Sequence, residues 1–280
     1  MPAVLDHALF GLGLAVLCSL TLALGFWARV GLAWLPLWAL VRATVQLAAV
    51  ALILSGVLSA PATVAAFLVL MLATASLTAA GRLKGLRHGR RIAALGVVVG
   101  ATATVALILA LRLVEFEGRY VIAVAGIVIG NTMSAATRTG RNFRDSTLQR
   151  RDEVEAWFSL GATPSQAHDE IARAAVREAL LPNLDQTKTT GLVTLPGAFV
   201  GALFGGADPV EAAQFQLVVL AGLGLAGMLT GVIVARLAAR TPYLPPDVAA
   251  EVQPGSADYR LGERHQMGAM ARRGREGRSG

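Results

Sequence analysis

Seven apolar stretches, each close to the length a helix needs to cross a bilayer, leave this chain little choice of architecture. They run over about 8 to 27, 34 to 58, 62 to 80, 92 to 111, 120 to 136, 190 to 206 and 214 to 236. A hydrocarbon core about 30 Å thick takes roughly 20 mostly apolar helical residues, so the fifth and sixth are short. Hydrocarbon gives backbone donors and acceptors no partner, so each stretch must be helical unless the chain closes into a barrel. Runs such as Val97-Val98-Val99 and Leu68-Val69-Leu70 lack the alternation of barrel strands. Composition agrees, with 55% of the 280 residues hydrophobic, 15% charged and a mean hydropathy of +0.59. The expected fold is an all-α integral membrane bundle of about seven helices.

Asp6 and His7 precede the first stretch without any Lys or Arg, so it reads as a span and not as a secretory signal. The single cysteine, Cys18, excludes an intrachain disulfide and a multi-cysteine metal site. Basic residues in short loops set the orientation. Residues 81–91 hold Arg82, Lys84, Arg87, Arg90 and Arg91 with no acid, which places that loop in the cytoplasm. The loop after the fourth span balances Arg112 and Arg119 against Glu115 and Glu117, and the loop after the sixth carries only Asp208 and Glu211. Those face outward. The segment 137–188 opens with Arg138, Arg141 and Arg144 and belongs inside, giving an outer N-terminus and a cytoplasmic C-terminus. The net charge of +7 is then positive-inside topology plus a basic tail, and no nucleic-acid partner is expected.

The chain divides into a permease domain, 1–240, that contains the cytoplasmic segment 137–188, and a tail, 241–280. Pro242, Pro245, Pro246 and Pro254, then Arg272, Arg273, Arg275 and Arg278, make the tail an expected disordered segment, either solvated or touching lipid headgroups. Gly96 and Gly100, Gly126 and Gly130, Gly197, Gly201 and Gly205, and Gly227 and Gly231 recur at four-residue spacing. Small residues so spaced let helices approach closely in lipid. They serve packing within the chain or between two copies, and with no internal repeat a homodimer is expected.

The segment between the fifth and sixth spans predicts a helix pair. Val154, Trp157, Phe158 and Leu160 give a helical apolar pattern that stops at Gly161. Thr163-Pro164-Ser165-Gln166 then reads as a helix start, with Thr163 as N-cap and Gln166 closing a capping box. The second helix continues through Ala167, Ile171, Ala174, Ala175 and Leu180.

Polar residues inside the spans are candidates for a translocation pathway. Arg42 and Gln46 share a face of the second span, and Asn131 falls at a similar depth in the fifth. Either the three form a polar cluster at the pathway mouth, or Arg42 snorkels to the headgroups. Pro196-Gly197 is a bend in the sixth span or a gating hinge. No span contains Asp or Glu, and His7, His88, His168 and His265 are scattered, so no metal ligand set can be named. Lys188-Thr189 lacks the glycines of a phosphate-binding loop, and neither a His-Glu-x-x-His site nor a Gly-x-Ser-x-Gly elbow is present. A transport role without catalysis is expected.

The stretch Glu155-Ala156-Trp157-Phe158-Ser159-Leu160-Gly161, with Ile171 ten residues beyond the glycine, resembles the EAA loop by which bacterial ABC permeases dock on their ATPase. Trp157 stands in place of the second alanine, and Arg173-Ala174 where Leu-Pro is usual. Arg42-Ala43-Thr44-Val45-Gln46-Leu47, Gly130-Asn131-Thr132-Met133, Leu195-Pro196-Gly197, Gly205-Gly206-Ala207-Asp208-Pro209 and Gln214-Phe215-Gln216 follow in an order that resembles the FetB-like iron-export permease family, with plant relatives linked to aluminium tolerance. The resemblance covers about residues 9 to 238. It implies a permease in the bacterial plasma (inner) membrane that exports iron or another metal, while ATP and Mg are bound by a separate ATPase subunit and no cofactor by this chain. It implies coupling through Glu155, Ala156, Gly161 and Ile171, and adds Met133, Gln214 and Gln216 to the expected pathway residues. Ala198-Phe199 and Ala202 stand where the family often has Met-Met and a polar residue. That departure keeps open a permease for an organic or nucleotide-sugar substrate. A channel or secondary carrier independent of ATP is the reading from another class.

Overall fold

The computed structural model describes residues 2–58 and 60–241. The expected disordered tail therefore lies outside the described residues, apart from Thr241. Among the described residues the fold is helical apart from one isolated bridge between Thr190 and Thr194. Six helices are long and apolar enough to cross a membrane. The chain separates into two compact units, one up to Phe67 and one from Leu68 onward.

The first unit holds α1 (Pro2–Trp27), α2 (Leu35–Val57) and the start of α3 (Pro61–Arg82). Phe26 and Trp34 meet edge-on across the α1–α2 connection, with ring centroids 5.8 Å apart. Leu17, Trp38, Leu47 and Leu52 are exposed around α1 and α2, as suits helices that meet lipid.

The second unit is built around α10 (Pro209–Ala239), which packs on α4 (Gly89–Ala110), α5 (Gly118–Gln149), α8 (Asp169–Thr189) and α9 (Gly197–Phe204). Glycines let it do so. Gly96 and Gly100 of α4 sit against Val234 and Thr230 of α10, and the Thr230 hydroxyl donates to the Gly96 carbonyl at 3.2 Å. On another side Gly227 and Gly231 receive Leu180 and Val176 of α8. Two of the expected glycine faces thus serve packing inside the chain. Gly126 faces Met71, whereas Gly130, Gly197 and Gly201 face open space.

Helix α5 runs without a break from the fifth apolar stretch through Thr139, Gly140 and Phe143, all buried. The segment 137–188 is therefore not detached from the bundle: it opens inside α5, and Ile171, Ala175, Val176, Ala179 and Leu180 of α8 bury against α5 and α10. Two short helices, α6 (Arg151–Ser159) and α7 (Pro164–Ala167), lie between them.

The sixth apolar stretch differs from its expected form. Residues 190–196 make a turn in which Gly191 takes φ +96° and its N–H donates to the Thr194 carbonyl at 2.9 Å. Helix α9 follows, eight residues or about 12 Å long, too short to cross alone. Pro196 does not kink a continuous helix; it is the extended residue just before α9. Among the described residues, the proline that does lie inside a helix is Pro182, in α8.

Candidate functional site

Helix α6 ends as its sequence predicts. Gly161 takes φ +85°, its N–H donates to the Phe158 carbonyl, and the Ala162 N–H to that of Trp157, both at 3.0 Å. That pairing satisfies the last carbonyls of the helix and turns the chain sharply. Gln166 closes the next start, its Oε1 accepting from the Thr163 N–H at 2.9 Å. The second helix of the pair is not continuous, because His168 (φ −108°, ψ 4°) separates α7 from α8.

The turn presents its apolar tip outward. Trp157 is 46% exposed and Leu160 82%, and both line a groove with Gly161, Ala162, Ser165, Gln166 and Asp169. Beneath it Val154 is fully buried and Phe158 packs on the core. His168 is 1% exposed, with Phe143 and Phe158 rings 5.6 and 5.9 Å away. Its Nδ1 lies 2.8 Å from the Pro164 carbonyl, an acceptor only, so Nδ1 carries the proton there. The sequence left this histidine among scattered ones; its place two residues after the capping box was the available signal.

A guanidinium ties the pair to the bundle. Arg150 donates to both oxygens of Glu153, each at 2.7 Å, and to both of Glu170 on α8, at 3.2 and 3.1 Å. Hydrogen bonds to Glu153 first and Glu170 second hold Arg150 above its ordinary pKa, and the bond from Arg150 holds the Glu153 carboxyl below its own. Glu155 is half exposed and pairs with Arg151 at 2.8 Å. Ala156 is exposed beside it. Ile171 is not on this surface: it is 2% exposed and sits in the core under the pair.

Asn131 lies deeper in the same unit. Its Nδ2 donates to the Leu223 carbonyl of α10 at 2.9 Å, and Asn183 Nδ2 of α8 donates to Asn131 Oδ1 at 2.8 Å. Asn183 was not foreseen, because α8 carries too many charged residues to look like part of the bundle. Met133 packs half-buried against the core. Gln216 is buried with its Oε1 unpartnered among the described residues, while Gln214 is exposed. Arg42 and Gln46 lie on α2, in the other unit, with exposed side chains. Pro196 and Gly197 open α9.

Beyond Asn183, α8 continues with Asp185 and Lys188, whose side chains pair at 3.3 Å while 65% and 72% exposed. Arg173, Arg177 and Glu178 are exposed on its earlier turns. Among the described residues, no three His, Cys, Asp or Glu side chains converge as a metal site would require.

The profile of a family described as "Uncharacterised protein family (UPF0014)" matches residues 10–243. The chain is 38% identical over 206 residues to the "UPF0014 membrane protein STAR2" of Oryza sativa subsp. japonica, 72% of either chain. It is 33% identical over 209 residues to the "Probable iron export permease protein FetB" of Escherichia coli, 74% of this chain and 81% of that one. A 150-residue match at 38% identity, 54% of this chain and 55% of the relative, links it to "Protein ALUMINUM SENSITIVE 3" of Arabidopsis thaliana. No solved structure matches.

Proposed function

The chain belongs to the UPF0014 membrane protein family, and from that premise we propose that it is the permease subunit of an ABC transporter, exporting iron or another metal with energy from a separate ATPase. It is a multi-pass membrane protein, related over most of its length to a named permease. One observation carries the coupling part of the proposal. An exposed apolar tip, Trp157 and Leu160, sits on a rigid turn whose base is clamped by Arg150 to the helix that packs on α5 and α10.

In this mechanism the tip seats in a groove of the ATPase on the cytoplasmic face of the bacterial inner membrane, with the N-terminus outside. Two copies of the chain and two ATPase subunits make the complex. ATP and Mg are held by the ATPase, whose closure on nucleotide pushes α6. Arg150 passes the push to α8 through Glu170, and the antiparallel contact of α8 on α5 and α10 passes it to Asn131 and Leu223. Glu155, Ala156 and Gly161 form the docking surface, and Ile171 is the packed base that keeps it rigid. Arg42, Gln46, Asn131, Met133, Gln214 and Gln216 belong to the pathway, and Pro196-Gly197 is its hinge. Ala198, Phe199 and Ala202 offer no thioether to a soft metal, which favours an organic or nucleotide-sugar cargo as the second reading.

The test is purification of the tagged chain from its native membrane, with mass spectrometry of what accompanies it. A phosphate-binding-loop ATPase whose hydrolysis rises when the chain and iron are present supports the proposal. Transport into vesicles without ATP, and no such ATPase, would replace it with a channel or carrier.

A further inference from the structure

The apolar register of α8 fixes how deep its charged end lies. Val176 faces Gly231, Leu180 faces Gly227, and Asn183 approaches Gly227 and reaches Leu223 through Asn131, so α8 runs antiparallel to α10. Leu223 and Gly227 straddle the middle of a 31-residue helix. A helix of that length extends about 46 Å, so its middle is far from either membrane surface. Lys188 follows Asn183 by five residues, about 7.5 Å farther along. That carries it to the level of residues 217–221 of α10, all of them apolar.

Asp185, Gln186 and Lys188 therefore sit at the depth of the hydrocarbon with their side chains exposed. Lipid cannot solvate an ion pair there, and ionisable groups at this depth face water or the interior of a bundle. Arg177 and Glu178 precede Asp185 and Lys188 on exposed positions of the same side of the helix, with Leu181, Pro182 and Leu184 exposed between them, while the opposite face buries Ala172, Val176, Ala179 and Leu180.

We propose that the exposed face of α8 from Arg177 to Lys188 lines a water-filled path through the apolar layer, and that its cargo is a cation that keeps its hydration shell. The side-chain oxygen atoms of Asp185 and Gln186 suit an outer-sphere contact with a hydrated ion. No cluster of acids, His or Cys exists among the described residues to strip that shell. The choice of a cation rests on the transport reading above; the wet path does not.

Single cysteines test it in the full chain carrying Cys18→Ala, reconstituted in lipid vesicles and treated on both sides with a permanently charged thiosulfonate. Gln186→Cys and Lys188→Cys are expected to react about ten-fold or more faster than Leu77→Cys on the exposed apolar face of α3, because thiolate forms in water and not in lipid. Phe116→Cys, in the α4–α5 loop, reports full access. If Phe116→Cys reacts while Gln186→Cys and Lys188→Cys are as slow as Leu77→Cys, the path is overturned. With fast reaction, a change of rate on adding the ATPase and ATP supports both readings. Fast reaction that ATP leaves unchanged keeps the path and removes the ABC mechanism. For the cargo, Asp185→Asn with Lys188→Gln is expected to lower metal flux several-fold with ATPase assembly intact; unchanged metal flux would overturn the assignment to a cation.

Discussion

At Gly161 a single residue separates docking from folding. Its φ of +85° costs an ordinary residue roughly 1–2 kcal/mol, yet a Cβ there would meet nothing within 4 Å. Gly161→Val should therefore leave the bundle assembled and the tip misdirected. Detergent-solubilised variant is expected to melt close to the parent while ATPase stimulation is lost. Ile171→Ala is expected to do the reverse of a docking mutation, lowering the melting temperature through a cavity costing about 2–5 kcal/mol, since the side chain is buried. Glu153 adds a pH dependence. Its carboxyl is held low by Arg150, so its stabilising effect is present above the unfolded pKa, about 4.3, and disappears as pH falls through the lower folded value. The small gap in melting temperature between the parent and Glu153→Gln should close as pH drops through that range. The glycine stop and the Gln166 cap were legible because each is a local rule. The burial of Ile171 and His168 was not, because it depends on Phe143 and on α5, far away in sequence.

Among the elements, α8 most separates what patterning reveals from what it hides. Apolar runs located α2, α3, α4 and α10 to within a few residues, since a helix surrounded by lipid or by other helices is apolar all round. Helix α8 buries one face only, so its average is polar, and averaging hides that it packs on α5 and α10. The sixth apolar stretch then looks like a whole span when it is a turn plus the short α9. Glycine spacing marked α4 as a close-packing helix without naming its partner, and the α4–α10 contact allows a sharp test. A Cβ at Gly100 would collide with the Thr230 side chain and press on the Ala226 carbonyl. Overpacking of this kind costs about 1–3 kcal/mol, so Gly100→Ala is expected to lower thermal stability. Gly201→Ala, which faces open space, serves as the comparison and should not.

For the whole molecule, the question is whether force at the tip can reach the middle of the bundle through one connection. Between α6 and α8 the chain passes a four-residue helix and a break at His168, a path with several rotatable bonds and little stiffness. Arg150 bypasses it. Its planar fork holds Glu153 on α6 and Glu170 on α8 at once, and two bidentate contacts fix orientation as well as distance. Partly exposed ion pairs add little to stability, so the clamp is better placed to transmit motion than to hold the fold. Arg150→Met keeps much of the apolar stem and removes the fork. It is expected to co-purify with the ATPase as the parent does and to melt within a few degrees of it, yet to lose several-fold in ATP-driven flux. Arg150→Lys should not restore that flux, because an ammonium is a point charge without the fork. Full flux in Arg150→Met, with normal assembly, would mean that the push travels through the backbone at His168 instead.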